Sequence, residues 1–301
     1  MASQAKTFSV ITKNGQGFQI HLKELKKDSS VKAVHQMRVF SRRLRTNLWI
    51  FKDRLGKKKY RALILPLDHI VRGLGPIRDL DIHFNLLKQF KGQSPDPQIK
   101  KGISRLMKDL KIQRKSLQSQ IDKVLKGVKK SDLIPSLMRT IHRLKKKFSP
   151  WDTRKLLKRS PLQVNKRLQD LLSYTPYIHK PQKVQKLHAM RMASKRLRFT
   201  LENFEPLLGE KLKPSIQSAQ AFQTHLGAFH DYDVWLEHLA SSTSKKNFRQ
   251  ADPQGRTRAF LIQQCQKLKR QSYQSFLNTW QKCQKKKTWK RLKNFIASQG
   301  T

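Results

Sequence analysis

VHQMRVFSRRLRTNLWIF, from Val34 to Phe51, carries two separate stripes when set on a helix at about 100° per residue. His35, Arg38, Arg42 and Arg45 fall within an arc of roughly 80°. Met37, Phe40, Leu44, Leu48 and Phe51 share a second arc, centred about 140° away. The apolar arc predicts a core face. The cationic arc runs over three turns with no carboxylate among its members, although like charges at i+3 and i+4 destabilise a helix. A single basic row is most often a solvated face. Here nothing within the row offsets the repulsion, so an anion from outside is the natural counter-charge.

A second copy weighs against the solvated face. LHAMRMASKRLRFTLENF, Leu187 to Phe204, lies 153 positions further on and matches the first stretch at nine of eighteen positions. His188, Arg191, Lys195 and Arg198 reproduce the cationic arc, and Met190, Leu197, Leu201 and Phe204 the apolar one. A face that only meets water does not need to be repeated this closely.

A second motif is also duplicated. LGPIRDLDIHFNLL, Leu74 to Leu87, is answered by LGAFHDYDVWLEHL, Leu226 to Leu239, at an offset of 152. Leu226, Gly227, Asp231 and Asp233 stand for Leu74, Gly75, Asp79 and Asp81, while His230 stands for Arg78. Residues i and i+2 point about 200° apart on a helix, so the two aspartates of a pair cannot serve one metal. Ion pairing with basic side chains of neighbouring helices is the expected role of at least one of them. Two motifs recurring in one order imply a duplicated unit, each the size of one helical bundle.

The 301 residues carry 66 Lys and Arg against 19 Asp and Glu, a formal charge of +47 spread along the whole chain. With 37% hydrophobic residues the chain can bury one large core or two smaller ones. Such a field attracts polyanions: nucleic acid, anionic membrane or polyphosphate. No apolar run is long enough to span a membrane, and MASQAKTFSV lacks the apolar centre of a signal peptide. Cys265 and Cys283 fall in one predicted helix, about 27 Å apart, too far to bridge, and no zinc-ligand spacing occurs. The reading is a soluble, cytoplasmic protein with no metal and no cofactor.

In chain order, residues 1–16 read as a ragged start before a short helix from about Gly17 to Lys27. Asp28-Ser29-Ser30 offers caps for the central helix, predicted from about Val31 to Leu55 with a stop at Gly56. Lys57 to Val71 is a third helix, with a kink or break expected at Pro66. After the helix opened by Gly75-Pro76 comes a loop over Lys91 to Pro97. Basic helices follow over about Pro97 to Lys130 and Ser131 to Lys147. Ser149-Pro150-Trp151 and Ser160-Pro161 bracket the expected junction between halves. The second half reads as a helix from Pro161 to about Ser173, a loop from Pro176 to Pro181, the second copies of both motifs, and a loop near Ser241–Lys246. A last helix runs from Asp252 to about Ala297, broken around Lys285–Thr288. No segment alternates with period two, so no sheet is expected.

His35-x-x-Arg38 with Arg42-Arg43-Leu44-Arg45, its echo His188-x-x-Arg191 with Lys195-Arg196-Leu197-Arg198, and the two Leu-Gly…Asp-x-Asp segments resemble the CHAD family, the conserved histidine α-helical domain. The resemblance covers the chain from about residue 14 to the end. It implies an all-α protein of two four-helix bundles, about 14–158 and 159–301, related by internal pseudo-two-fold symmetry, with a basic central groove or pore. It implies binding of inorganic polyphosphate and association with polyphosphate granules, with polyphosphate-metabolising enzymes as conceivable partners. Carried over, the ligand-facing residues are His35, Arg38, Arg42, Arg45, His188, Arg191, Lys195 and Arg198. Arg43 and Arg196 match family positions but lie off the main arc, where pairing with the aspartates is the alternative. Arg78, Asp79, Asp81, Asp231 and Asp233 are the expected supporting ion pairs. His230 in place of Arg78 weakens that cation in the second half.

The residues themselves bear on the rival functions. Arginine forks bind phosphate oxygens bidentately. Binders of single-stranded nucleic acid interleave cations with aromatic platforms. Along the two rows only Trp49 is aromatic, and its counterpart is Glu202. Non-specific RNA or DNA binding is the alternative that the charge alone allows. His225, His230, Asp231 and Asp233 form the one His/Asp cluster that suggests a phosphohydrolase. Phosphoryl transfer, however, needs carboxylates to hold Mg²⁺, and the chain has five glutamates, no E-x-E-x-K motif and no Walker-type loop. The expectation is a binding protein, not an enzyme.

Overall fold

The computed structural model describes residues 2–147, 150–241 and 253–299. Among them the chain is all-α, with no strand. The helices in order are α1 (Ala2–Lys27), α2 (Val31–Ile50), α3 (Lys52–Leu55), α4 (Lys57–Gly73), α5 (Gly75–Gln93), α6 (Pro97–Ser116) and α7 (Gln118–Lys130). Then follow α8 (Leu133–Lys147), α9 (Pro150–Leu172), α10 (Val184–Leu208), α11 (Lys213–Ser241), α12 (Pro253–Lys285) and α13 (Thr288–Ala297). None of the described helices is long and apolar enough to cross a membrane.

The chain divides into two compact units: Met1–Gln93 with Ile103–Ser149, and Ser94–Gly102 with Pro150–Thr301. In the first, α2 packs against α1, α4 and α5, while α7 and α8 close over α4. Its core takes Phe18, Leu22 and Leu25 from α1 and Leu63, Leu67 and Ile70 from α4, all buried. The apolar arc of α2 meets them with Met37, Leu44, Leu48 and Phe51, also buried. In the second unit α10 lies between α9 and α11, and α11 packs on α12. Met190, Leu197, Leu201 and Phe204 of α10 meet Phe222, Leu226 and Phe229 of α11 and Phe276 and Trp280 of α12 in one buried cluster. Both core stripes are thus those read from the periodicity, except that Phe40 is only half-buried, and Trp235 is buried as well.

Several boundaries differ from the sequence reading. The helix expected to open near Gly17 begins at Ala2. Gly15 and Gly17 are not breaks but points of close approach. A Cβ on Gly15 would stand 2.7 Å from Ile141 Cδ1, and one on Gly17 would stand 2.1 Å from the Phe40 ring. Phe51 interrupts the central helix between α2 and α3, and Gly56 ends it at a positive φ of 74°. Pro66 is carried inside α4, and Pro161 inside α9, without ending either helix. The long basic helix is broken at Leu117, where Leu117 N donates to Arg114 O and Gln120 N to Leu117 O, a tightened turn with no Gly or Pro to announce it. The break near Lys285–Thr288 is real: Lys287 takes a left-handed conformation between α12 and α13. Ser149, of the expected junction, and 242–246, of the expected loop after Ser241, lie outside the described residues.

Candidate functional site

In the first unit the basic row begins one turn after the Ser30 cap, whose Oγ accepts from Ala33 N at 3.3 Å. His35 is exposed, whereas Arg38 is only 9% exposed. A buried guanidinium needs acceptors. It finds one where α4 ends, since a helix terminus leaves carbonyls without helical partners. Arg38 Nη1 donates to Val71 O at 2.5 Å. It also lies over the start of α5, where a Cβ on Gly75 would stand 3.2 Å from Nη1. The glycine of the second motif therefore makes room for the arginine of the first. Burial, and then Arg78, push the Arg38 guanidinium below its ordinary pKa, and the Asp79 carboxylate opposes them. His35 is held below the ordinary imidazole value by partial burial first, then by Arg78, Arg42 and Arg38.

Further along α2, Arg45 Nε forms an ion pair with Asp68 Oδ1 of α4 at 2.5 Å. Arg43 is exposed, with its guanidinium 5.4 Å from the centre of the Phe40 ring. It is on the aromatic ring, not on the motif aspartates. Asp81 is buried and accepts from Arg114 Nε of α6 at 2.7 Å. Arg114 Nη2 reaches Ser29 O at 2.5 Å, and Gln118 Nε2 donates to Ser29 Oγ at 3.0 Å.

The second unit repeats the central relationship. A Cβ on Gly227 of α11 would stand 3.2 Å from Arg191 Nε of α10. The surroundings differ. α11 runs unbroken through Leu226-Gly227, so the carbonyl answering Val71 O, that of Gln223, lies in mid-helix, where the helical ladder uses it. Arg191 Nε is buried without a hydrogen-bond partner among the described residues, as are His188 Nδ1 and His230 Nδ1. The rings of His188 and His230 lie 4.1 Å apart between centroids, tilted by 49°. Burial first, then His188 and Arg191, push the His230 imidazole down to about 4, against the pull of Asp233. Burial and then Arg191 lower His188 too.

Around this group Asp233 pairs with Lys269 of α12. The second aspartate of each Asp-x-Asp thus takes a cation from a long basic helix further along the chain. Arg196 turns to Asp170 of α9, with Nε at 3.1 Å and Nη2 at 2.9 Å from Oδ2. That pairs it with an aspartate outside the Asp-x-Asp motifs. Arg198 Nε lies 3.2 Å from Glu202 Oε1, one turn on. Lys195 is half-buried on the same face of α10.

Sequence reasoning left each row without internal charge relief. The folded units supply it at the last cation of each, through Asp68 and Glu202. Glu202 stood in the quoted stretch at i+4 from Arg198, a readable signal. Asp68, Asp170, Arg114 and Lys269 carried none, because tertiary packing selects them from helices rich in similar residues.

The family model of the CHAD domain matches residues 9–240. Among solved structures, the crystal structure of the CHAD domain from the plant Ricinus communis is similar at 17% identity, covering 93% of this chain and 91% of that one with a TM-score of 0.58. PptA from Streptomyces chartreusis is similar at 14% identity, covering 93% of this chain and 100% of that one with a TM-score of 0.61. No curated protein sequence matches the chain. With the duplicated His-x-x-Arg and Leu-Gly…Asp-x-Asp segments lying inside or at the edge of the matched span and the all-helical fold shared with these structures, the chain belongs to the CHAD domain family.

Proposed function

We propose that this protein binds inorganic polyphosphate non-covalently through the basic rows of α2 and α10, and that it serves to hold or organise polyphosphate granules in the cytoplasm. The observation that carries this reading is the repeated seating of an arginine on a glycine. Arg38 on Gly75, buried, and Arg191 on Gly227, half-buried, are each drawn in beside a histidine, with further cations at helical spacing behind them. A solvated face needs no such seat. Arginine forks at fixed positions suit successive phosphate groups, which offer oxygens in every direction and no base to stack.

Binding, not catalysis, is the activity that follows. Of the four aspartates in the two Asp-x-Asp motifs, Asp81 and Asp233 are engaged with Arg114 and Lys269, which takes one carboxylate of each pair away from a phosphate-bound Mg²⁺. The test is a titration of long-chain polyphosphate against RNA of equal charge at physiological salt. Tighter binding of polyphosphate, weakened by Arg38→Ala with Arg191→Ala, supports the proposal. Equal binding of the two polymers, unaffected by that double variant, would make this a general basic surface.

A further inference from the structure

We infer that His188, His230 and Arg191 form a proton-coupled oxyanion subsite of the second unit, with no equivalent in the first. This rests on the polyphosphate reading and deepens it, by giving the second row a paired-imidazole response to pH beyond that of the single His35 in the first. Three buried polar nitrogens, Arg191 Nε, His188 Nδ1 and His230 Nδ1, lack hydrogen-bond partners among the described residues. A group of unsatisfied polar nitrogens around one guanidinium is unfavourable unless something fills it. A phosphate oxygen can accept from the guanidinium and from imidazole N–H groups.

The first unit, at the corresponding positions, has resolved the same problem internally. Arg38 donates to Val71 O, and Arg78, a permanent cation, stands where His230 stands. No imidazole pair can form there. In the second unit the unbroken α11 offers no terminal carbonyl, and His230 brings a second titratable ring onto His188.

The charges around the pair set the direction of the response. From α10 it faces Arg191, and from α11 Asp233, which Lys269 of α12 engages. The charged groups of α9, Arg167 and Asp170, act on Arg196. Trp289 of α13 meets α11 at the Phe222 ring, and Glu210 in the short turn before α11 pairs with Lys213. Before an anion arrives, burial and Arg191 favour the neutral form of both rings, most strongly at His230. A phosphate group against Arg191 reverses the local potential, and the pair takes up a proton from solvent. Two cationic rings at this separation oppose one another, so the pair gains about one proton, not two.

The experiment is calorimetric titration of long-chain inorganic polyphosphate into the full chain, in two buffers of different ionisation enthalpy at mildly acidic pH. The net proton uptake is compared for wild type, His230→Arg and Arg78→His. His230→Arg is expected to lower the uptake by about one proton and Arg78→His to raise it. Should His230→Arg fail to fold by circular dichroism, Arg78→His carries the test alone. Binding with the same uptake in wild type and in every folded variant overturns the subsite and leaves the functional proposal standing. Absence of binding at any pH overturns both.

Discussion

Arg38 reaches across to Gly75, its Nη1 lying 3.2 Å from the point a Cβ would occupy. The two residues are 37 positions apart, and each belongs to a different repeated motif. The same relationship between Arg191 and Gly227 makes the glycine part of the proposed binding face, although it carries no functional group.

Gly227→Ala tests this directly. In mid-helix an alanine should stabilise by up to about 1 kcal/mol, offset by the crowding of a flexible side-chain end. Thermal denaturation should move little, in either direction. Affinity for polyphosphate should nonetheless fall several-fold, because the guanidinium is pushed from its seat. Undiminished affinity would mean that the seat does not set the position of the arginine.

Asp81→Ala should be far costlier to stability. Removing one partner of a buried, hydrogen-bonded pair leaves Arg114 half-buried without its carboxylate, a loss on the order of 3 kcal/mol. Asp233→Ala should cost less, since Asp233 and Lys269 are both more exposed to water than Asp81. Chemical denaturation of the two variants gives the ranking, and the reverse order would contradict the assigned roles.

Salt should weaken binding steeply, by extension of the counter-ion release known for nucleic acids. Replacing Arg38, Arg42 and Arg45 with Ala should flatten the dependence on salt while leaving the helix intact, since alanine is the best helix former. Arg45→Ala alone should flatten it least, because Asp68 already neutralises part of that charge. A slope unchanged in the triple variant would put the ligand elsewhere on the protein.

Acid should destabilise the unliganded protein through its histidines. His230 is ordinarily at 6.5 when unfolded and is depressed to about 4 when folded, so the unfolded chain binds more protons between those values. Its stabilising contribution is present above about pH 6.5 and is lost as pH falls towards 4. His230→Gln should remove this part of the pH dependence in denaturation curves. Saturating polyphosphate should reduce it as well, by favouring the protonated form in the folded state.

The all-helical class and the two core stripes were legible because helical periodicity writes itself along the chain. Met37, Leu44 and Leu48, or Met190, Leu197 and Leu201, need no knowledge of their neighbours to be placed inside. What governs the site was not legible. Nothing in the sequence joins Arg38 to Gly75, since that meeting depends on how α2 crosses the turn between α4 and α5. The start of α1 was placed too late, at about Gly17, because the packing that admits Gly15 and Gly17 against Ile141 and Phe40 leaves no mark in one dimension. The pairing of His188 with His230 was hidden for the same reason, though the replacement of Arg78 by His230 was visible from the outset.

Arg114 holds the buried Asp81 of α5 with one nitrogen and the Ser29 carbonyl, just ahead of the α2 cap, with another. That single side chain indexes the start of the basic row to the helix that carries the arginine's seat. A polymer pulling along the row cannot draw α2 lengthwise past α5 without loading this joint. The first unit's row is in that sense a scale with a fixed zero, its cations held at set distances from one pinned origin.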